Sequence, residues 1–225
     1  CPKCSHTRKK DRVPCLTINN EVNNRYWNCH HCDFKGNLDL YMKSKEVYNQ
    51  KDSDNPQYQF SATVVQHFKD RGINVQKMYD DRVYQTTRYS QEKQRHVIYI
   101  AYQIYRNNNL VNIKYKELEG KRCTQVSRDK GAEMSLIGLD NIDFKKEKFL
   151  IFTEGEEDMY SWKTVGINNV VSVPQGANTG VETYLNDAFT MSLIQQADYY
   201  ILAVDNDEKG IELRDNLAKN LGEKK

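Results

Sequence analysis

Four cysteines in two C-x-x-C pairs, Cys1/Cys4 and Cys29/Cys32, constrain this chain more than any other feature. Each C-x-x-C turn aims two sulfurs at one point, and two such turns complete the tetrahedron that a soft metal such as Zn²⁺ requires. Six cysteines could also form disulfides, but 225 residues exceed the size of a disulfide-stapled mini-protein, so metal is the better reading of the paired spacing. Cys15 lacks a C-x-x-C partner and is the weaker ligand candidate. His6, His30 and His31 lie near enough to substitute, yet four cysteines already close the site, which leaves the histidines to solvent or nucleic acid. Val13, Leu16 and Ile18 before one turn, then Tyr26 and Trp27 after another, read as short strands with a cysteine pair at each edge: a zinc ribbon. So small a unit buries little apolar surface, and the metal is expected to supply most of its folding free energy.

The chain is 28% charged and 38% hydrophobic, with a mean hydropathy of −0.84. No apolar run approaches the roughly 18 residues that a membrane span needs, and no export signal is visible, so a cytoplasmic protein without a membrane partner is expected (host cytoplasm if viral). The formal charge of +2 conceals an asymmetry. Residues 1–45 carry nine Lys/Arg against four Asp/Glu, residues 46–148 eighteen against fourteen, and residues 149–225 six against thirteen. A basic start attracts phosphate backbones. An acidic end repels them unless divalent cations sit among its carboxylates.

Four units follow from composition and periodicity. Residues 1–45 form the ribbon, and residues 46–60, polar and turn-rich, read as a flexible linker. Residues 61–148 begin with a helix from the N-cap Ser61 to Asp70, with Val64, Val65 and Phe68 on its apolar face and Gly72 as its stop; a short helix over Val75 to Tyr79 follows. Two strands, His96 to Arg106 and Leu110 to Lys116, then flank Asn107-Asn108-Asn109 as a hairpin. The period of two sends Val111, Ile113 and Tyr115 to one face and Asn112, Lys114 and Lys116 to the other, and Lys121 and Arg122 extend the basic patch beyond Gly120. Such alternation also suits an ordinary solvated sheet face.

Residues 149–225 alternate strand and helix: strands at Phe149 to Phe152, Val170 to Val173 and Tyr199 to Val204, and helices over Glu157 to Thr164, Val181 to Gln196 and Gly210 to Leu221. This pattern predicts a parallel α/β sheet. Ligands of open α/β sheets bind outside the carboxyl ends of the strands. Glu154 follows the first strand, and Asp205 and Asp207 follow the third, spaced to point the same way. Carboxylates in an open crevice suit a hard cation such as Mg²⁺, which keeps several waters and is completed by substrate phosphates. Acids favoured by a helix dipole would explain Glu157 and Asp158, but not Glu154 with Asp205 and Asp207.

Thr153-Glu154-Gly155-Glu156-Glu157-Asp158 and Ala203-Val204-Asp205-Asn206-Asp207-Glu208-Lys209-Gly210 together resemble the TOPRIM signature, an E-G-x-x-D element and a D-x-D element shared by DnaG-type primases, topoisomerases and some nucleases. Ser172-Val173-Pro174-Gln175-Gly176-Ala177 resembles the turn found between them in phage and Twinkle-like primase–helicases. Cys1-Pro2-Lys3-Cys4 and Trp27-Asn28-Cys29-His30-His31-Cys32-Asp33-Phe34-Lys35-Gly36 look like that family's template-reading ribbon. The resemblance implies an α/β protein (α+β overall): a small β zinc ribbon joined to a primase core with an N-terminal α+β subdomain and a TOPRIM parallel-sheet subdomain. It implies template-directed synthesis of short RNA primers from NTPs on single-stranded DNA. Glu154 would be the leading metal ligand or general base, Asp205 and Asp207 would hold Mg²⁺ or Mn²⁺, and Glu156 and Asp158 would support them. Lys114, Lys116, Lys121 and Arg122 would bind nucleotide or template phosphates. A replicative helicase, in cis or in trans, and a DNA polymerase are the implied partners.

The sequence contains no G-x-x-x-x-G-K-S/T phosphate loop, and a further metal-binding aspartate of the family is expected beyond Lys225, so the chain reads as the primase part of a longer protein. Two other readings share its features. A RecR-like recombination protein joins zinc and TOPRIM elements without catalysis, but its cysteine pairs are closer than the 24 residues between Cys4 and Cys29. A TOPRIM nuclease shares the carboxylates but needs no template-reading ribbon.

Overall fold

The computed structural model describes residues 1, 3–4, 15–21, 24–37, 56–120, 131–176, 180–185 and 187–222. The ribbon is an antiparallel sheet of β1 (Leu16–Glu21), β2 (Asn24–Cys29) and β3 (Lys35–Asn37) in that order, with Ile18 opposite Trp27 and Trp27 opposite Gly36. Gly36 is required there: a Cβ would lie 2.1 Å from the Trp27 ring. Its buried apolar residues among those described are Cys4, Cys29 and Phe34, so thiols make up most of its interior.

The expected linker 46–60 is corrected at its end. Gln57 pairs with Gln85 through two backbone hydrogen bonds of 2.9 and 3.1 Å, Tyr58 packs on Tyr84, and Phe60 is buried. Burial of Phe60 outweighs the polar composition around it. Residues 46–55 of that linker lie outside the described residues, as do Lys121 and Arg122.

α1 (Ala62–Asp70) buries Val64 and Phe68 and ends at Gly72, whose φ of +71° a side chain would strain. α2 (Val75–Asp80) is capped by Asn74, whose side chain accepts from Gln76 N. Next comes an antiparallel sheet of β4 (Tyr84–Ser90), β5 (Arg95–Arg106) and β6 (Asn109–Glu117). β4 escapes the sequence reading because Tyr84, Gln85 and Thr86 are all buried and show no alternation. Gln85 is satisfied through hydrogen bonds to Ser61 N and Gln57. The register of β5 against β6 skips Val111, the extra residue of a bulge. Val111 therefore packs with Ile100, Tyr102 and Ile104 rather than with Ile113 and Tyr115, as strict alternation requires.

The third sheet is parallel, in the order β8 (Val170–Ser172), β7 (Phe149–Thr153), β9 (Tyr199–Ala203). α3 (Glu156–Thr164) makes the β7-to-β8 crossover, and α6 (Glu208–Leu221) follows β9. The single expected helix over 181–196 is two, α4 (Glu182–Leu185) and α5 (Ala188–Ile194). Asp187 starts the second one: its side chain accepts from Thr190 N and Thr190 Oγ1, both at 2.9 Å, and is bridged by Arg106 at 3.1 Å. No helix among the described residues is long and apolar enough to cross a membrane.

β7 is buried on both faces. Leu150 and Phe152 join a cluster with Val171, Tyr184, Leu213 and Leu217, while Ile151 joins Met159, Tyr160, Tyr102 and Phe68 on the other side. α3 is thus wedged between the antiparallel β4–β5–β6 sheet and the parallel sheet, with the Tyr160 ring stacked on Tyr102. Its last turn is held by Lys163, buried and ion-paired to Asp81, which also accepts from Tyr160 Oη at 3.0 Å and from Asn141 Nδ2 at 2.8 Å. Removing one partner of a buried pair leaves the other charge uncompensated, which costs about 3–5 kcal/mol. Lys163→Met is expected to lower stability by about 3 kcal/mol in urea unfolding, with Lys163→Arg losing far less; equal stability of the Met variant and the parent would show that the pair does not anchor α3.

Candidate functional site

At the ribbon, the sulfurs of Cys1, Cys4, Cys29 and Cys32 all lie within 4.8 Å of one another. Cys1 and Cys32 are 3.7 Å apart and Cys4 and Cys29 3.6 Å. Tetrahedral zinc, with Zn–S near 2.3 Å, separates its sulfurs by about 3.8 Å, so this donor set has the dimensions of a zinc site. Burial, helped by the neighbouring thiols, pushes Cys4 up to about 12. Burial acts the same way on Cys29, but the N–H groups of His31 and Cys32 and the adjoining thiols outweigh it and lower Cys29 to about 6. Cys29 is thus the easier of the two to ionise, and an entering metal displaces the remaining thiol protons. His30 and His31 are exposed, His30 Nε2 lying 2.6 Å from Thr17 Oγ1, while His6 lies outside the described residues.

The acidic crevice is built by strand order. The chain leaves β7 towards β8 on one side and returns to β9 on the other, so the crevice opens at the carboxyl ends of β7 and β9, where the winding reverses. Thr153 pairs with Ala203, which places Glu154 and Asp205 just beyond the paired ends. Glu154 is half-buried with Oε1 3.5 Å from where a Cβ on Gly176 would stand, and Gly176 has a φ of +57°. Asp205 and Asp207 are exposed. Asp207 is also the N-cap of α6, its Oδ1 accepting from Gly210 N at 2.8 Å, so that helix begins earlier than expected. Gly210 packs so closely under the turn that a Cβ would lie 1.9 Å from the Asp205 carbonyl oxygen, and a Cβ on Gly155 would lie 2.7 Å from Asp158 Oδ2. Although Asp158 as a residue is exposed, desolvation of its carboxyl and then the charge of Asp205 raise it above the usual carboxylate range; Lys116 and Arg71 pull the other way.

Among the described residues the metal-ligating side chains that converge closely enough to hold an ion are these four cysteines, with Cys15 Sγ beside two of them. Glu154, Asp205 and Asp207 share the crevice without closing into such a cage. That suits a cation that keeps its waters and draws further oxygens from a substrate.

The basic residues of β6 stand differently from the sequence reading. The face carrying Asn112, Lys114 and Lys116 is covered by α3 instead of being open. Lys114, at 4% side-chain exposure, is ion-paired to Glu156 at 2%. Lys116 bridges Glu157 at 2.6 Å, and Arg71 from the end of α1 reaches the same carboxylate at 2.5 Å. Glu156 therefore faces Lys114 within the protein rather than the crevice mouth.

No protein-family model matches the chain. The primase homolog protein of Arabidopsis thaliana is 27% identical over 244 residues, taking in 100% of this chain and 69% of that protein. The Twinkle homolog protein, chloroplastic/mitochondrial, of the same plant is 25% identical over 245 residues, covering 100% of this chain and 33% of its own length. Among solved structures, the primase fragment of the bacteriophage T7 primase-helicase protein has a TM-score of 0.56 at 21% identity, covering 88% of this chain and 78% of that one. The zinc-binding and RNA polymerase domains of Aquifex aeolicus primase give 0.55 at 16%, covering 93% and 70%. The resemblance to DnaG-type and Twinkle-like primases is borne out. The chain spans about a third of the Twinkle homolog and about two thirds of the primase homolog.

Against that primase frame, sequence reading missed Arg71, and it assigned no partner to Glu157. Their contact joins residues 86 positions apart, for which local periodicity carries no signal. Sequence reading placed Gly210 at the start of the last helix, whereas it packs beneath the D-x-D turn. Alanine at position 210 would gain about 1 kcal/mol of helix propensity, but forcing a methyl into a filled space costs about 1–3 kcal/mol. Gly210→Ala is therefore expected to be destabilising by up to about 2 kcal/mol net in urea unfolding; a more stable variant would show that the Asp205 turn yields freely.

Proposed function

We propose that this chain is the primer-synthesising part of a DNA primase: a template-directed RNA polymerase, and hence a nucleotidyltransferase, that joins NTPs into short RNA primers on single-stranded DNA during replication. The observation that carries this reading is one chain holding both a four-thiolate ribbon and carboxylates at the switch point of a parallel sheet. Relatives named as primases support it. A DnaG primase catalytic domain has been solved bound to single-stranded DNA, and T7 primase domains have been solved with an RNA/DNA hybrid, dTTP and the lagging-strand DNA polymerase. Those complexes favour single-stranded DNA as the template and a DNA polymerase as a partner, and the similarity to a Twinkle homolog favours a replicative helicase in cis or in trans.

In this reading, Asp205 and Asp207 hold Mg²⁺ or Mn²⁺ at the open end of the sheet, with Glu154 across the crevice as a further ligand or as the general base. The bound ions supply charge neutralisation and activation of a hydroxyl in phosphoryl transfer. Glu154 is half-buried beside Gly176, and the α6 cap commits one Asp207 oxygen to Gly210 N while the exposed residue keeps its other oxygen for a ligand. Asp158 adds a carboxyl that shares the field of Asp205, so a proton or a cation there relieves the repulsion between them. The ribbon, basic along its length, approaches the template.

The full-length protein is expected to make labelled oligoribonucleotides from NTPs on single-stranded DNA with Mg²⁺ or Mn²⁺. Asp205→Ala should reduce product by about 10³-fold or more, the scale on which a key electrostatic group acts, while leaving zinc content and unfolding temperature unchanged. Absence of product on every template, together with tight metal-independent DNA binding, would instead favour a non-catalytic, RecR-like role.

A further inference from the structure

Beside the four-cysteine site stands a fifth thiol. Cys15 Sγ lies 3.6 Å from Cys29 Sγ and 3.8 Å from Cys4 Sγ, while Cys4 and Cys29 are 3.6 Å apart. All three edges of this triangle match the sulfur spacing around tetrahedral zinc, about 3.8 Å. Cys4 and Cys29 thus form an edge shared by two sets of donors, the group that includes Cys1 and Cys32 and a second face completed by Cys15.

The backbone holds Cys15 there. Its carbonyl accepts from His30 N at 2.9 Å, and the next residue, Leu16, pairs with Cys29 in the β1–β2 register. Cys15 is half-buried and packs within the same cluster as Phe34 and Cys29. The β1–β2 pairing therefore places it beside Cys29 at the end of β2. Five thiolates cannot all surround one zinc, since four fill the tetrahedron and a fifth adds only repulsion.

We propose that Cys15 is a reserve ligand of the zinc site, able to complete a four-thiolate tetrahedron with Cys4 and Cys29 when Cys1 or Cys32 is lost. The inference rests on the zinc reading of the four cysteines and adds to it an inequality among them. Cys4 and Cys29 belong to both donor sets, whereas Cys1 and Cys32 each have a substitute.

Co²⁺ titration of the full chain, monitored by its thiolate charge-transfer and d–d bands, tests this. The parent should bind one equivalent with a four-thiolate spectrum; failure at that stage would overturn the zinc site itself, not merely the role of Cys15. Given that binding, Cys1→Ser or Cys32→Ser should retain one equivalent with a four-thiolate spectrum. Adding Cys15→Ser to the same variant should weaken Co²⁺ binding by at least about tenfold and reduce the thiolate bands. Outer-shell partners alone are worth about 10–100-fold in metal affinity, so a true ligand cannot cost less. A Cys15-dependent difference in either background supports the proposal. Identical affinity and spectra with and without Cys15 in both backgrounds would overturn it.

Discussion

Burial of charge on α3 is the constraint on which the rest of the core depends. Glu156, Glu157 and Lys163 are removed from water between two sheets, a position that isolated charges could not tolerate. Each has an opposite charge waiting on another element: Lys114 on β6, Lys116 on β6 with Arg71 after α1, and Asp81 after α2. Exposed pairs elsewhere, such as Lys209 with Glu212, are worth at most about 1 kcal/mol. The buried ones act differently. They fix which surface of the β4–β5–β6 sheet meets α3, because any slip would strand a charge in an apolar space.

That docking determines what remains free for chemistry. Within the run from Glu154 to Asp158, the two middle carboxylates turn inward to hold the subdomains together, and the two outer ones stay beside the crevice. The strand order then brings Asp205 and Asp207 to the same edge. The Asp158 carboxylate sits close over Gly155, and Gly210 packs tightly against the backbone of the Asp205 turn. Desolvation first, and the charge of Asp205 second, raise the Asp158 carboxyl, and a cation among these groups would relieve the second of those costs.

Much of this was legible in the sequence because local rules and tertiary packing agree. β7, β8 and β9 are short apolar runs, each preceded by a polar residue, and the β5–β6 hairpin follows from its polar turn. The acidic motifs fall at strand ends, so their location was legible from the strand assignments alone. Reading failed where side chains contradict their usual environment. Gln85 and Thr86 are polar but buried through hydrogen bonds, which hid β4. Lys114 looked like a surface lysine and is an interior one, because its partner, Glu156, lies 42 residues away and no periodicity announces such a pair. Asp187 looked like one more helical residue, although its carboxylate starts a new helix.

The same contrast separates the two ends of the chain energetically. The core has two apolar clusters built on opposite faces of β7, ample to hold its shape without any ion. The ribbon has Phe34 and a set of sulfurs, and its stability must come through the metal that those sulfurs hold. A soft ion therefore acts on folding at one end, whereas a hard ion at the other would act on a site whose walls are already standing. That asymmetry explains why a spare thiol would be useful in the ribbon and a spare carboxylate would be costly in the crevice: losing a ligand unfolds the first, but merely weakens binding in the second.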